Sequence, residues 1–330
     1  MREFDYLRAV DIAAASDAIS QPETKFLAGG TTLLDLMKLN VERPARVVDI
    51  THLAGLDTVT VTTDMIRIGA LTKMSKVADH AGVRQAAPVV SESLWRAASA
   101  QLRNMATIGG NLLQRTRCTY FRDPGAYPNC NKRVPGSGCA AIAGVNRNHA
   151  ILGTSSDCIA TYHGDFAVAL VAFDARIIVR GATERSIPVD EFFLLPGSTP
   201  HKETTLAPGE IIVGVNIPRS FALQRSHYLK VRDRASYEFA AASAAVGLEL
   251  EPNGKTIRAV RIAMGGVATK PWRLRNVEAA LQGKPLTERT LRAAAAAAVD
   301  DAKASGHNDF KIALAPKVVA RALMLVGDIA

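Results

Sequence analysis

A chain of 330 residues is longer than one hydrophobic core usually serves, and 48% hydrophobic residues suffice for two or three packed units. No apolar run reaches the ~20 residues of a spanning helix, so membrane insertion is not expected. The formal charge of +9 comes without a long basic block or basic–aromatic interleaving, which argues against nucleic acid and leaves an acidic subunit or a phosphate-bearing cofactor as partner.

The segment Met1-Arg2-Glu3-Phe4-Asp5-Tyr6 has acids where a secretory signal is basic and then apolar, so no export signal of its own is expected. Ala9 to Ile19 reads as a helix, and Lys25 to Leu27 as a short strand ending at Gly29-Gly30. Leu33 to Leu39 looks helical, Arg46 to Ile50 strand-like, and Met65 to Gly69 alternates as a strand does. Helix patterns follow at Ser75 to His80 and Val89 to Leu102. From Arg103 to about Asp165 periodicity fails, and Gly, Pro, Asn, Arg and Cys dominate. A loop this long inside a compact domain is expected to be functional or held by something. Regular pattern resumes over Phe166 to Val179, and Ile211 to Ile217 reads as a strand closed by Pro218. After Ser226, strand-like segments at Tyr228 to Val231, Ala244 to Glu251 and Ile257 to Ala263 lead into helices at Leu286 to Ser305 and Phe310 to Val326. The change of character places a first domain at 1–222, with an insert at about 113–163, and a second at 223–330.

Two glycine elements carry chemistry. Phe26-Leu27-Ala28-Gly29-Gly30-Thr31-Thr32-Leu33-Leu34 is a strand, a glycine turn, two hydroxyl residues and a helix start. Glycines let a backbone approach a ligand, and free amides at such a turn attract phosphate. It is neither a Rossmann Gly-x-Gly-x-x-Gly nor a Walker loop. Thr107-Ile108-Gly109-Gly110-Asn111 repeats the logic. Two such loops could grip one extended dinucleotide from two sides. No His-x-x-x-His spacing and no Gly-x-Ser-x-Gly elbow occurs, so hydrolase machinery is not expected.

All four cysteines, Cys118, Cys130, Cys139 and Cys158, fall in one 41-residue window. Eleven, eight and eighteen residues separate them, so no pair has Cys-x-x-Cys spacing. Four thiolates can hold [4Fe–4S], hold zinc, or pair as two disulfides. The nearby Arg115, Arg117, Arg122, Lys132 and Arg133 would offset the negative charge of either metal site and do not decide between them.

Ala28-Gly29-Gly30-Thr31 with Leu33 to Lys38, Thr107 to Asn111, Gly209-Glu210-Ile211-Ile212 through Pro218, Lys230-Val231-Arg232 and Gly265 to Arg273 occur in the order found in a known family. The chain resembles the FAD-binding subunits of xanthine dehydrogenase, carbon monoxide dehydrogenase and aldehyde oxidoreductase. The resemblance implies an α+β fold. Two subdomains of the vanillyl-alcohol-oxidase type would hold FAD, and a C-terminal α+β domain of the CO dehydrogenase flavoprotein type would follow. It implies FAD contacts from Phe26 to Leu34 and from Thr107 to Asn111, with Asp165, Ile212 and Lys230 close to the cofactor. It implies a heterotrimer with a large subunit carrying a molybdenum cofactor and a small one carrying [2Fe–2S] clusters, which feed electrons to FAD and on to an external acceptor. The Cys-bearing insert is similar to that of the periplasmic-type aldehyde oxidoreductases, and this implies a [4Fe–4S] cluster on the four cysteines. It also implies export as passenger on a signal-bearing partner, a cytoplasmic location being the alternative.

Overall fold

A computed structural model describes residues 1–329. Twelve strands form three sheets among the described residues. The first is parallel, with β1 (Asp5–Arg8), β2 (Thr24–Leu27) and β3 (Arg46–Asp49) in the order β1-β3-β2. The second has β4 (Val59–Val61), β5 (Met65–Gly69), β6 (Arg176–Arg180), β7 (Glu184–Pro188) and β8 (Ile211–Pro218). Its order is β4-β5-β8-β6-β7, all antiparallel. The third, antiparallel, has β9 (Ser226–Val231), β10 (Ala242–Leu250), β11 (Ile257–Gly265) and β12 (Trp272–Arg273) in the order β12-β11-β10-β9.

One helix ties the second and third sheets together. Asp165–Ala172 is apolar on every face after its first residue, and all eight residues are buried. A helix apolar all round has no solvent side to offer, so it sits in a core. Here that core joins Ile66 and Ile68 of β5, Ile177 of β6 and Val215 of β8 to Tyr228, Ala245 and Ala263 of β9, β10 and β11. The long C-terminal helix Phe310–Val326 covers the other face of the third sheet in a separate core.

Most elements agree with the periodicity to within two residues, and the exceptions have local causes. Val89 to Leu102 is not one helix but two, Pro88–Trp95 and Ala100–Met105. Ala98 between them adopts φ 49°, and the Ser99 hydroxyl caps the second by accepting from Leu102 N at 3.2 Å. The helix expected at Leu286 to Ser305 begins only at Glu288, behind a Thr287 cap, and ends in a 3-10 turn at Ala296–Val299. β1 and β7 have mostly exposed side chains with no clear alternation, and β4, with three residues, is too short to show a period.

Candidate functional site

A cavity of about 640 Å³ opens between the glycine loops, the start of the cysteine insert and the segment 193–212. Its size lies within the range of small-molecule sites, ~300–1,000 Å³. The two glycine loops meet there backbone to backbone. A Cβ on Gly29 would touch Met105 O and lie 2.9 Å from Ala106 Cα, so only glycine allows the approach. Gly30 holds φ +71°, a left-handed conformation that turns the chain out of β2. Behind this turn the amides of Gly29, Gly30, Thr31 and Thr32 donate to no acceptor among the described residues. Successive free amides in such a turn form a concavity suited to an anion.

The second loop differs in kind. The Thr107 hydroxyl accepts from Gly110 N at 3.3 Å and caps the short helix Ile108–Leu112. Gly109 packs on Ala70, whereas a Cβ on Gly110 would meet only that same hydroxyl, at 3.1 Å. Gly110 is therefore bare toward the cavity rather than toward the protein.

Of the residues expected in the site, Phe26, Ala28, Gly29, Gly30, Thr31, Thr32 and Leu33 line the cavity from the first loop. Thr107, Gly109 and Gly110 line it from the second, and Ile212 from β8. The others do not. Leu27 and Leu34 pack against each other's side of Gly30. Ile108 is fully buried in the core, and Asn111 turns its amide toward Met74 Sδ at 3.5 Å, leaving Oδ1 buried without a partner. Asp165 and Lys230 are absent from the wall and bind each other instead. Lys230 Nζ donates to Asp165 Oδ2 at 2.8 Å and to Arg96 O at 3.0 Å, while Tyr228 OH donates to Asp165 Oδ1 at 2.6 Å. Both charges are almost fully buried, at 5% and 1% side-chain exposure. They lock β9 to the head of the buried helix.

Sequence reasoning missed the cavity's charged wall. Arg115 bridges Glu42 (2.5 Å) and Glu203 (2.6 Å), and Lys132 binds Glu203 at 2.8 Å. Burial alone would raise the Glu203 carboxyl, but Arg115 and Lys132 outweigh it and hold it below the ordinary glutamate value. Arg115 and Lys132 were visible in the sequence as basic residues near cysteines. Glu42 and Glu203 gave no signal, because only the fold brings them to the same wall.

The insert 113–163 contains one helical turn, Thr119–Arg122, and is otherwise irregular. Its four cysteines are free thiols that converge on one small cavity. Cys130 and Cys139 face each other across an isolated antiparallel bridge. Burial pushes the Cys118 thiol up to about 12 and Cys158 up to about 11. The neighbouring thiols add to both effects, while the Lys132 ammonium opposes the rise at Cys158. No three His, Cys, Asp or Glu side chains among the described residues are arranged to hold a single metal ion. The arginines expected to surround the cysteines as free charge are engaged elsewhere. Arg117 and Arg122 pair with Asp35 on the helix after the first glycine loop, and Arg133 donates to the carbonyls of Tyr120, Phe121 and Pro128 at 2.7, 2.5 and 3.2 Å. These bonds hold the insert to itself and to the glycine loop.

Residues 2–220 match the family described as FAD binding domain in molybdopterin dehydrogenase, and residues 227–326 match the CO dehydrogenase flavoprotein C-terminal domain. The aldehyde oxidoreductase FAD-binding subunit PaoB of Escherichia coli (strain K12) is 45% identical over 328 residues, covering 98% of each chain. The carbon monoxide dehydrogenase medium chain of Hydrogenophaga pseudoflava is 26% identical, covering 97% of this chain and 96% of its own. A solved structure of the carbon monoxide dehydrogenase from that organism superposes with a TM-score of 0.76 at 25% identity, over 100% of this chain and 99% of the other.

Proposed function

The chain belongs to the family of FAD-binding medium subunits of the molybdopterin dehydrogenases, and from that premise we propose that it is the electron-transfer subunit of a molybdenum-dependent aldehyde oxidoreductase, with FAD in its glycine-walled cavity. The observation that carries the site is the run of unpaired amides from Gly29 to Thr32, facing a cavity that Gly110 leaves clear. Those amides fit the pyrophosphate of a dinucleotide, and the wall holding Lys25, Arg115 and Lys132 favours its charge. Phe26, Ala28 to Leu33, Thr107, Gly109, Gly110 and Ile212 hold the cofactor directly. Leu27, Leu34, Ile108, Asn111, Asp165 and Lys230 shape the loops and the helix behind them. FAD, when bound, supplies a carrier that exchanges one or two electrons. The protein positions it, excludes water with Phe26, Leu33 and Ile212, and sets its electrostatic surroundings.

We assign the four cysteines to one [4Fe–4S] cluster. Their convergence on one small cavity supports a shared site, and the likeness of the cysteine-bearing insert to that of aldehyde oxidoreductases favours a cluster over zinc. In a cluster each thiolate binds its own iron, so the sulfurs stand further apart than around one ion. Similarity to PaoB along 98% of both chains extends the proposal to an aldehyde as the substrate of the assembly. It extends equally to a large molybdenum subunit and a small [2Fe–2S] subunit in a heterotrimer, and to co-export to the periplasm with a signal-bearing partner. The two domains, 1–222 and 223–330, follow the same plan.

The test is the visible spectrum and the flavin, iron and sulfide content of the co-expressed complex. We expect FAD, a broad iron–sulfur shoulder, and about four irons held by this chain beyond those of the small subunit. Stoichiometric zinc in this chain without sulfide would refute the cluster. A complex without flavin would refute the site.

A further inference from the structure

Five charges alternate along the wall of the large cavity. Lys25 lies 3.3 Å from Glu42, Arg115 joins Glu42 to Glu203, and Lys132 closes the series 2.8 Å from Glu203. The members come from three places in the chain: the N-terminal β2 region, the cysteine insert, and the loop after Phe193. The last member occupies two sites at once. Lys132, Cys158 and Ala160 line both the large cavity and the small cysteine cavity. Lys132 stands two residues after Cys130, its side chain is 11% exposed, and it also donates to Pro200 O at 3.1 Å. Arg115 Nη2 in turn donates to Lys132 O at 3.4 Å.

We propose that Lys132 is a positioning residue that makes cofactor binding in the large cavity depend on the ordered state of the cysteine insert. This rests on the reading of the large cavity as the FAD site and of the cysteines as a metal site. The physical reason is charge balance. With the insert folded, three cations face two carboxylates, leaving one positive charge toward a diphosphate. If the insert loosens, Lys132 and Arg115 leave with it. Of the series only Lys25 then remains beside Glu42 and Glu203, and this part of the wall turns from net positive to net negative toward the anion. The loop holding Pro200 and Glu203 also loses its anchor, and His201, Lys202 and Thr204 of that loop line the cavity.

The experiment uses the whole complex with Lys132→Met, Lys132→Arg, Lys132→Met/Glu203→Gln and Cys130→Ser. The readouts are FAD affinity by titration of the deflavinated protein, the flavin midpoint potential, and iron content. Lys132→Met is expected to keep its iron but bind FAD about tenfold more weakly, a typical coupling between linked sites. Lys132→Arg restores binding, and adding Glu203→Gln recovers part of the loss because the stranded carboxylate is gone. Cys130→Ser is expected to lose both iron and FAD. Lys132→Met with wild-type FAD affinity and potential would overturn the inference, as would a Cys130→Ser complex that loses iron and keeps FAD unchanged. A wild-type complex lacking flavin or iron would instead overturn the underlying reading, and the inference with it.

Discussion

Gly29 and Gly110 are the same residue type in similar motifs, yet they answer to different constraints. Gly29 is required by the protein, since its Cβ would strike the backbone of Met105 and Ala106. Gly29→Ala is expected to destabilise the fold by about 1–3 kcal/mol, as overpacking does, and to lower the midpoint of thermal unfolding even without cofactor. Gly110 is crowded only by the Thr107 hydroxyl, so on the proposed reading it is the ligand that requires it. Gly110→Val is expected to leave unfolding of the cofactor-free chain nearly unchanged while abolishing flavin retention, and full flavin occupancy would disprove the assignment. Lys311 offers a pH test at the same scale. It is 1% exposed, donates to His149 O and Gly266 O at 3.0 and 2.7 Å, and faces His149, His163, Arg147 and Asp233. Burial, reinforced by Arg147, lowers it to about 7, against 10.5 for a free lysine. Below pH 7 it is charged in both states, and the cost of burying that charge is incurred in full. Above 7 the unfolded chain binds a proton that the folded chain does not, so stability rises with pH. Between pH 7 and about 9 the wild type should gain stability relative to Lys311→Met, and equal slopes in chemical unfolding would refute this.

At the scale of elements, the insert is ordered by polar bonds to its own carbonyls and to Asp35, Glu42 and Glu203 rather than by secondary structure. Ordering a backbone costs on the order of 1–2 kcal/mol per residue, and one helical turn gives little in return. Buried apolar side chains such as Phe121, Ile151 and Leu152 offset part of this cost, and the proposed cluster would add metal–thiolate bonds. Cys130→Ser is therefore expected to remove about four irons per chain and to open the segment to limited proteolysis. Unchanged protection with the metal gone would show that the arginine bonds suffice. The element boundaries teach the same lesson. Met65–Gly69 and Phe310–Val326 match their patterns because one side of each is buried and the period is visible. β1 has no buried residue, so its identity as a strand comes from pairing with β3 and not from its own residues.

Across the whole molecule, the Asp165–Lys230 pair links the regions matched by the two family descriptions. Breaking one side leaves an uncompensated buried charge, which costs about 3–5 kcal/mol. Asp165→Asn should lower the unfolding midpoint and weaken the cooperativity between the regions, while Asp165→Asn/Lys230→Met should recover much of the loss. A single variant as stable as wild type would show that Tyr228 and Arg96 carry the junction without the ion pair.

The sequence by itself determined the order of most elements, the two glycine loops, and the clustering of four cysteines, because each of these is written in local spacing. It pointed to Phe26, Ala28 to Leu33, Thr107, Gly109 and Gly110, which line one cavity, since a strand–turn–helix start exposes backbone wherever it occurs; Ile212, which also lines it, came from the family resemblance alone. Only the tertiary structure decided that Asp165 and Lys230 face each other and that Asn111 turns away from the cavity. It alone brought Glu42, Arg115, Lys132 and Glu203 onto one wall. A buried ion pair spanning 65 residues and a wall drawn from three segments depend on long-range packing, and local periodicity holds no record of which distant charges will meet.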